Sequence, residues 1–415
     1  MDFTLKDLER WNNRIEPVVH KMGLNCYPQE FEVIGYKEML GYEAYSGMPS
    51  RYPHWSFGKS YERTRTLYNY NLTGLAYEMV INSDPCLAYL MRDNTLLLQI
   101  LTMAHVYGHN DFFKNNRLFK EGTDASSTVE MLKRNADLIR AYINDPSIGA
   151  EKVERVLDAA HALRFHVARV PGEKVKDEKI GDGKMQEDLL FFILKHGSLE
   201  EWEKNIIEIV RNESLYFIPQ IETKIMNEGW ASFWHYTILN ELDLPQGLHI
   251  EFLKRHNDVV RPHLGRLNPY YLGFLMFKDI EAKYGRDKIF EVRELERDSS
   301  FIRKYLTEEL CVESNLFQYG QKNSDYVIEE ISDESGWKEI RNTLASTCGC
   351  GSIPVICAAE LGSKDKKLTL QHVYDGRELL INYAQSTLKY VQELWGYPVE
   401  LKTIISNQTT TLKAQ

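Results

Sequence analysis

Residues 95–115 read TLLLQILTMAHVYGHNDFFKN, and this stretch sets the fold class. Leu97, Ile100, Leu101 and Ala104 recur at helical spacing, and Asp93 or Asn94 stands ready to cap the start. The pattern predicts a core-forming helix from Thr95 to about Asn115. Gly108 falls mid-helix, where glycine costs about 1 kcal/mol against alanine. A glycine kept there has a packing or site reason. His105 and His109 stand four residues apart, so both imidazoles share one helix face. That is the separation at which two histidines can bind one tetrahedral metal ion.

A second segment, MNEGWASFWHY at 226–236, carries Glu228 and His235 on one helical face. Glu228 can offer a carboxylate oxygen, and His235 a fourth ligand or a proton shuttle. The expected constellation is His105, His109 and Glu228 as metal ligands for Zn²⁺, with His235 and Glu78 as catalytic groups. Glu78 lies in LAYEMVINSDP (75–85), read as the last turns of a helix running from Ser60 to Ile81 through Leu67, Leu72 and Leu75. The bland alternatives stay open: HxxxH recurs by chance, a buried histidine is often bonded to a carbonyl, and Glu78 could simply pair with Arg or Lys. The burial expected for the His105 helix weighs against them, since imidazoles without partners are costly to bury.

The set is similar to that of a gluzincin zinc metallopeptidase, in which HExxH meets a distant Glu. The departure is Val106, which stands where HExxH has its general base. Ordinary peptidase chemistry then lacks its base, and Glu78 is the substitute. Among other polar residues, His54 is placed at the pocket mouth or in structural stacking. Asn110 and Asp111 are placed behind the histidines as orienting partners, and Asn227 as a capping or hydrogen-bonding residue. His161 and His166 read as non-ligands on a solvated helix, and Arg293 to Arg297 as a solvated charged face.

The 415 residues exceed what one core usually serves. The expected fold is mainly α: a large helical domain over 1–315, followed by a small α+β domain over 320–415. In the first, helices are expected over 3–22, twice within 126–169, then at 186–196, 199–217 and 221–242, with Pro219 separating the last two. Further helices are expected at 247–259, 269–284 and 287–309. Residues 27–59 read as a long irregular loop. In the second domain, strands are expected at 326–331, 353–358, 368–374 and 399–405, and helices at 334–345 and 377–395.

A net charge of −10 and no basic stripe argue against duplex nucleic acid as a partner class. The six cysteines are scattered and contain no CxxC, which fits free thiols in a reducing compartment. The amphipathic N-terminus has no apolar signal core, and no stretch is long enough to span a bilayer. A cytoplasmic location is expected.

Longer stretches stand out: GMPSRYPHWSFGKSYE, LAYEMVINSDPCLAYLM, MAHVYGHNDFFKNN, IETKIMNEGWASFWH, LNPYYLGFLMFKDIE and RDKIFEVREL, spread through residues 25–310, and LWGYPVEL near the C-terminus. These stretches resemble the stage V sporulation protein R (SpoVR-like) family. The resemblance implies a bacterial cytosolic protein of endospore formation, acting in assembly of the spore cortex with protein partners of that programme. It implies no particular reaction. Three readings follow: a metal-dependent hydrolase acting on a peptide or cortex precursor, a non-catalytic regulator or scaffold with a structural His/Glu cluster, and a degenerate peptidase that binds without cutting.

Overall fold

The computed structural model describes residues 3–69, 77–172, 174–177, 179–262, 267–322, 325–331, 333 and 335–414. In chain order the elements begin α1 (Leu5–Lys21), β1 (Gln29–Ile34), α2 (Tyr36–Ala44), α3 (Trp55–Asn69), β2 (Glu78–Ile81), β3 (Cys86–Met91), α4 (Leu96–Asn115) and α5 (Arg117–Gly122). They continue with α6 (Thr128–Asn144), α7 (Gly149–Ala162), α8 (Leu189–His196) and α9 (Glu201–Glu222). Next come α10 (Lys224–Glu241), α11 (Gln246–Val260), α12 (Pro269–Tyr284), α13 (Arg286–Leu295), α14 (Asp298–Tyr305) and α15 (Glu308–Glu313). The last are β4 (Phe317–Lys322), β5 (Asp325–Ile331), α16 (Gly336–Thr347), β6 (Val355–Leu361), β7 (Leu368–Val373), α17 (Ile381–Trp395), β8 (Val399–Ile405) and β9 (Gln408–Lys413). The fold is mainly α with a smaller α+β part.

Contacts group these elements into two units, each discontinuous in sequence. The first comprises Met1–Ser50, Trp55–Val129 and Gln220–Gly349. The second comprises Arg51–His54, Glu130–Pro219 and Cys350–Gln415.

The first unit is built around α4. Thr95 caps it by accepting from the Leu98 N–H at 3.2 Å. Every residue of α4 except Leu96 and Lys114 is buried, as expected of a helix enclosed on all sides. Its main neighbours are α10, α1 and, through α10, α12. The mid-helix glycine now has its reason. A Cβ on Gly108 would lie 2.6 Å from Ala231 Cα, so α4 and α10 meet almost backbone to backbone. On the other side of α10, a Cβ on Gly229 would lie 2.3 Å from Gly273 Cα in α12. Two glycine contacts thus hold α10 tightly between α4 and α12. The start of α10 is fixed by Asp298 of α14, which accepts from the Ile225 and Met226 N–H groups at 2.8 and 2.9 Å.

Several expectations are corrected here. Residues 60–81 do not form one helix: α3 ends at Asn69, Leu72 and Leu75 lie outside the described residues, and Glu78 opens strand β2. Asn82 to Pro85 join β2 to β3 as a turn. The sheet has order β1-β3-β2, with β1 parallel and β2 antiparallel to β3, and Glu78 is paired with Leu90. The expected loop over 27–59 contains β1 and α2. Pro219 lies inside α9, and the chain breaks at Thr223 instead. The stretch 287–309 divides among α13, α14 and α15.

The second unit packs α17 against α7 and against β8 of the sheet β6-β7-β8-β9. Strands β7 and β8 are parallel and joined through α17, a βαβ crossover. Strand β9, which pairs antiparallel with β8, was not foreseen.

Candidate metal centre

Three elements of the first unit bring the proposed groups together. Helix α4 supplies His105 and His109 one turn apart, strand β2 supplies Glu78, and α10 supplies Glu228 in its second turn. Glu78, His105 and His109 offer ligand atoms that all lie within 4.8 Å of one another. Glu228 Oε2 stands 3.8 Å from His105 Nε2 and 3.6 Å from His109 Nε2, and Glu78 Oε1 stands 3.9 Å from His105 Nε2. All four groups are largely shielded from solvent, Glu228 the least, at 20 % side-chain exposure.

The partners of the imidazoles define what they present. His109 Nδ1 is 2.9 Å from Asn227 Oδ1. An amide oxygen only accepts, so Nδ1 carries the proton and Nε2 turns a lone pair toward Glu228. His105 Nδ1 lies 2.9 Å from His235 Nδ1, and His235 Nε2 lies 2.8 Å from His256 Nδ1. His105 Nε2 and Glu228 Oε2 are both buried without a hydrogen-bond partner. The His109 lone pair, His105 Nε2 and a Glu228 carboxylate oxygen therefore converge on one enclosed point, with the Tyr270 hydroxyl beside Glu228. Such buried acceptors are stabilised by a cation. A zinc ion with bonds of about 2.0–2.1 Å sets tetrahedral ligand atoms about 3.3 Å apart. The two separations to Glu228 need only a few tenths of an ångström of closure, and the two imidazoles with Glu78 offer ligand atoms within 4.8 Å of one another, so this donor set is of a kind that could hold a metal.

Electrostatics sorts the two carboxylates. Burial pushes the Glu78 carboxyl above its ordinary value; His105 opposes this and Glu228 adds to it. Burial acts on Glu228 in the same direction, but His105, His109 and Lys224 outweigh it and hold this carboxyl below its ordinary value. Glu228 is the charged partner and Glu78 the one inclined to take a proton. His109 is pushed down to about 4, by burial first and then by His105. Burial, His105 and His256 lower His235 well below the ordinary histidine range.

His235 is fully buried behind His105, with both ring nitrogens engaged. It therefore backs His105 and has no free nitrogen to face the convergence point. Asn227, not Asn110 or Asp111, orients His109. Asn110 bonds Tyr27 and Gln29, while Asp111 accepts from Trp230 Nε1 at 2.9 Å and the Asn25 N–H at 2.7 Å. Arg293, expected on a solvated face, is buried, 3.4 Å from Asp111 and over the rings of Trp230 and Phe290. His54 sits in the second unit, 3.1 Å from Asp158. His161, also there, is 2.8 Å from the Tyr52 hydroxyl rather than solvated.

Two site residues escaped the sequence reading. The Tyr270 ring stacks on His105 at 6.0 Å, and the Glu228 charge, burial and Glu78 push its phenol well above the ordinary value. His256 ends the imidazole chain and is pushed down to about 4 by burial, with Lys278 and His105 adding. Tyr270 stands just after the helix-opening pair Asn268-Pro269, and neither it nor His256 belongs to a spaced motif.

Comparison with known proteins settles the lineage. The family described as SpoVR like protein matches residues 2–182 and 175–353, and the SpoVR-like C-terminal domain matches 359–406. The chain belongs to the SpoVR-like family. A curated relative, the uncharacterized protein YcgB of Escherichia coli (strain K12), is 36% identical over 478 aligned positions, covering 97% of this chain and 92% of the relative. No solved structure matches. The SpoVR-like match spans both α4 and α10, so the His/Glu cluster lies within the family's own region. No helix among the described residues is long and apolar enough to cross a membrane.

Proposed function

We propose that this SpoVR-like protein is a metal-dependent hydrolase in which His105, His109 and Glu228 hold one Zn²⁺. The observation that carries the reading is the convergence of partnerless His105 Nε2 and Glu228 Oε2 with the lone pair of His109 Nε2. When bound, zinc polarises a substrate oxygen and lowers the pKa of water. The chain's own groups divide the remaining work. Glu78, inclined toward its protonated form, takes and returns the proton that an attacking water gives up. Its strand position replaces the base that Val106 cannot supply. The neutral Tyr270 hydroxyl offers a hydrogen bond to developing negative charge.

His235 and His256 act as positioning residues. With His105 Nε2 as a ligand, its Nδ1–H donates to His235, and His235 Nε2–H donates to His256, so one tautomer satisfies the whole chain. The donor set is gluzincin-like in kind, with the base on a strand instead of the histidine helix.

The family name supports a role in sporulation; the proposed substrate is a peptide or other spore-cortex precursor, in the cytoplasm, alongside protein partners of that programme. A wider envelope or stress role is the alternative setting for the same chemistry. Val106 favours a variant of this reading, a degenerate peptidase that binds without cutting; the second reading is a non-catalytic scaffold with a structural His/Glu cluster.

Metal analysis of untagged protein separates the two. The proposal expects about one zinc per chain, lost in the His105→Ala/His109→Ala variant and retained in Glu78→Gln. Metal-free wild-type protein, with unchanged stability in the double variant, leaves only the scaffold.

A further inference from the structure

The second unit contains a cavity of about 380 Å³ that the chemistry above does not use. That volume is in the range of small-molecule sites. Its walls are mostly apolar and come from both layers of the βαβ unit, with Leu370 and Leu401 from the sheet, Leu388 and Val391 from α17, Leu163 just after α7 and Leu189 at the start of α8. At the mouth, Leu380 and Tyr383 are 72 % and 74 % exposed. Large apolar side chains left in water at the entrance of an apolar cavity mark a route for a ligand.

The charged groups at the cavity already have partners. Arg377 Nε donates to both Asp375 oxygens at 3.2 and 3.0 Å, and its Nη2 donates to the Gly351 carbonyl at 2.8 Å. Glu378 accepts from the Ser406 N–H at 2.7 Å. What remains is neutral hydrogen-bonding capacity. His372 spends Nδ1 on Thr403 Oγ1 at 2.9 Å and keeps Nε2. The His166 ring has no hydrogen bond among the described residues. Burial, with Arg169 adding, pushes His166 down to about 4, and burial also lowers His372, so both rings are uncharged near neutral pH. Helix α17 begins at the same place, and its N-cap Leu380 supplies no side-chain acceptor for the first N–H groups.

We infer that this cavity binds a small, uncharged amphipathic molecule, with its apolar body among the leucines and its polar head against His166, His372 and the start of α17. An anionic head would meet Glu378 and find Arg377 already neutralised by Asp375. A cationic head would find Asp375 spent on Arg377 and only Glu378, itself held by the Ser406 N–H, as a counter-charge. An anionic head would lose hydration without a free counter-charge. A neutral carbonyl or hydroxyl meets neutral donors and acceptors with no such penalty.

The test uses the full-length chain with Nile red, which is apolar, uncharged and carries a carbonyl, and with anionic anilinonaphthalene sulfonate. Nile red is expected to bind saturably, at about one per chain, with blue-shifted emission. Ala384→Trp, which fills the cavity from α17, weakens that binding by about tenfold or more, and the milder Thr387→Met weakens it in the same direction. His372→Leu weakens it by about three- to tenfold through the lost head contact. Non-saturable dye binding, or binding unchanged in both folded α17 variants, overturns the site. Efficient displacement of Nile red by the anionic probe overturns the uncharged ligand class.

Discussion

Gly108→Ala gives a prediction whose sign separates local propensity from the packing described here. In an exposed helix interior the change stabilises by about 1 kcal/mol. In α4 the new methyl carbon would start 2.6 Å from Ala231 Cα and 3.2 Å from Ala231 Cβ. Ordinary carbon contact lies at about 3.5–4.0 Å, so the two helices must part by about 1 Å at this point. The obstacle is backbone, which cannot rotate aside. Overpacking of this kind costs about 1–3 kcal/mol, and the upper half of that range applies against a fixed Cα. Subtracting the propensity gain leaves a net destabilisation of about 1–2 kcal/mol. The same parting moves His105 and His109 away from Glu228, so zinc affinity falls as well. Urea denaturation should show a lower midpoint at unchanged slope, and a chelator competition titration should show weaker zinc. A variant more stable than wild type by about 1 kcal/mol would refute the close α4–α10 contact.

Other outcomes follow from the same geometry. Asn227→Leu removes the acceptor that fixes the His109 tautomer; zinc affinity should drop about 10- to 100-fold with the fold intact, read by chelator competition. Asp298→Ala strips two N–H groups at the start of α10 of their acceptor, so stability should fall by about 1–2 kcal/mol in urea denaturation. His161 is pushed from 6.5 down to about 3, by burial first and then by His54, Arg51 and Arg164. Its folded value lies below its unfolded one, so its contribution is intact above pH 6.5 and is lost as the pH falls from 6.5 toward 3. His161→Gln should flatten that acid limb by about one proton, measured as urea midpoints across the window.

Much of the central helix was legible because its signals agree. The apolar residues follow helical spacing, and His105 and His109 share a face, although the cap is Thr95 rather than the expected Asp93 or Asn94. The anomalous Gly108 pointed correctly to a packing reason, although only the structure shows Ala231 as the neighbour. Glu78 was placed near the histidines for the wrong local reason. A short apolar run such as EMVI does not distinguish helix from buried strand by periodicity. Val80 and Ile81, followed by the turn residues Asn82, Ser83, Asp84 and Pro85, carried the strand signal. Strand β1 was readable in principle, since QEFEVI alternates in polarity and its burial alternates over Gln29–Glu32. Tyr270 and His256 could not be found in this way. They reach the site through the packing of α12 and α11 around α10, and no sequence spacing encodes that.

The central claim is that one metal ion joins α4 to α10. X-ray absorption spectroscopy at the zinc edge, on untagged protein, tests it most directly. The account predicts low-coordinate zinc with nitrogen and oxygen ligands at about 2.0–2.1 Å and the scattering pattern of two imidazoles, reduced to one in His109→Ala. A sulfur shell at about 2.3 Å, or a spectrum unchanged in His109→Ala, would place the metal elsewhere and contradict it.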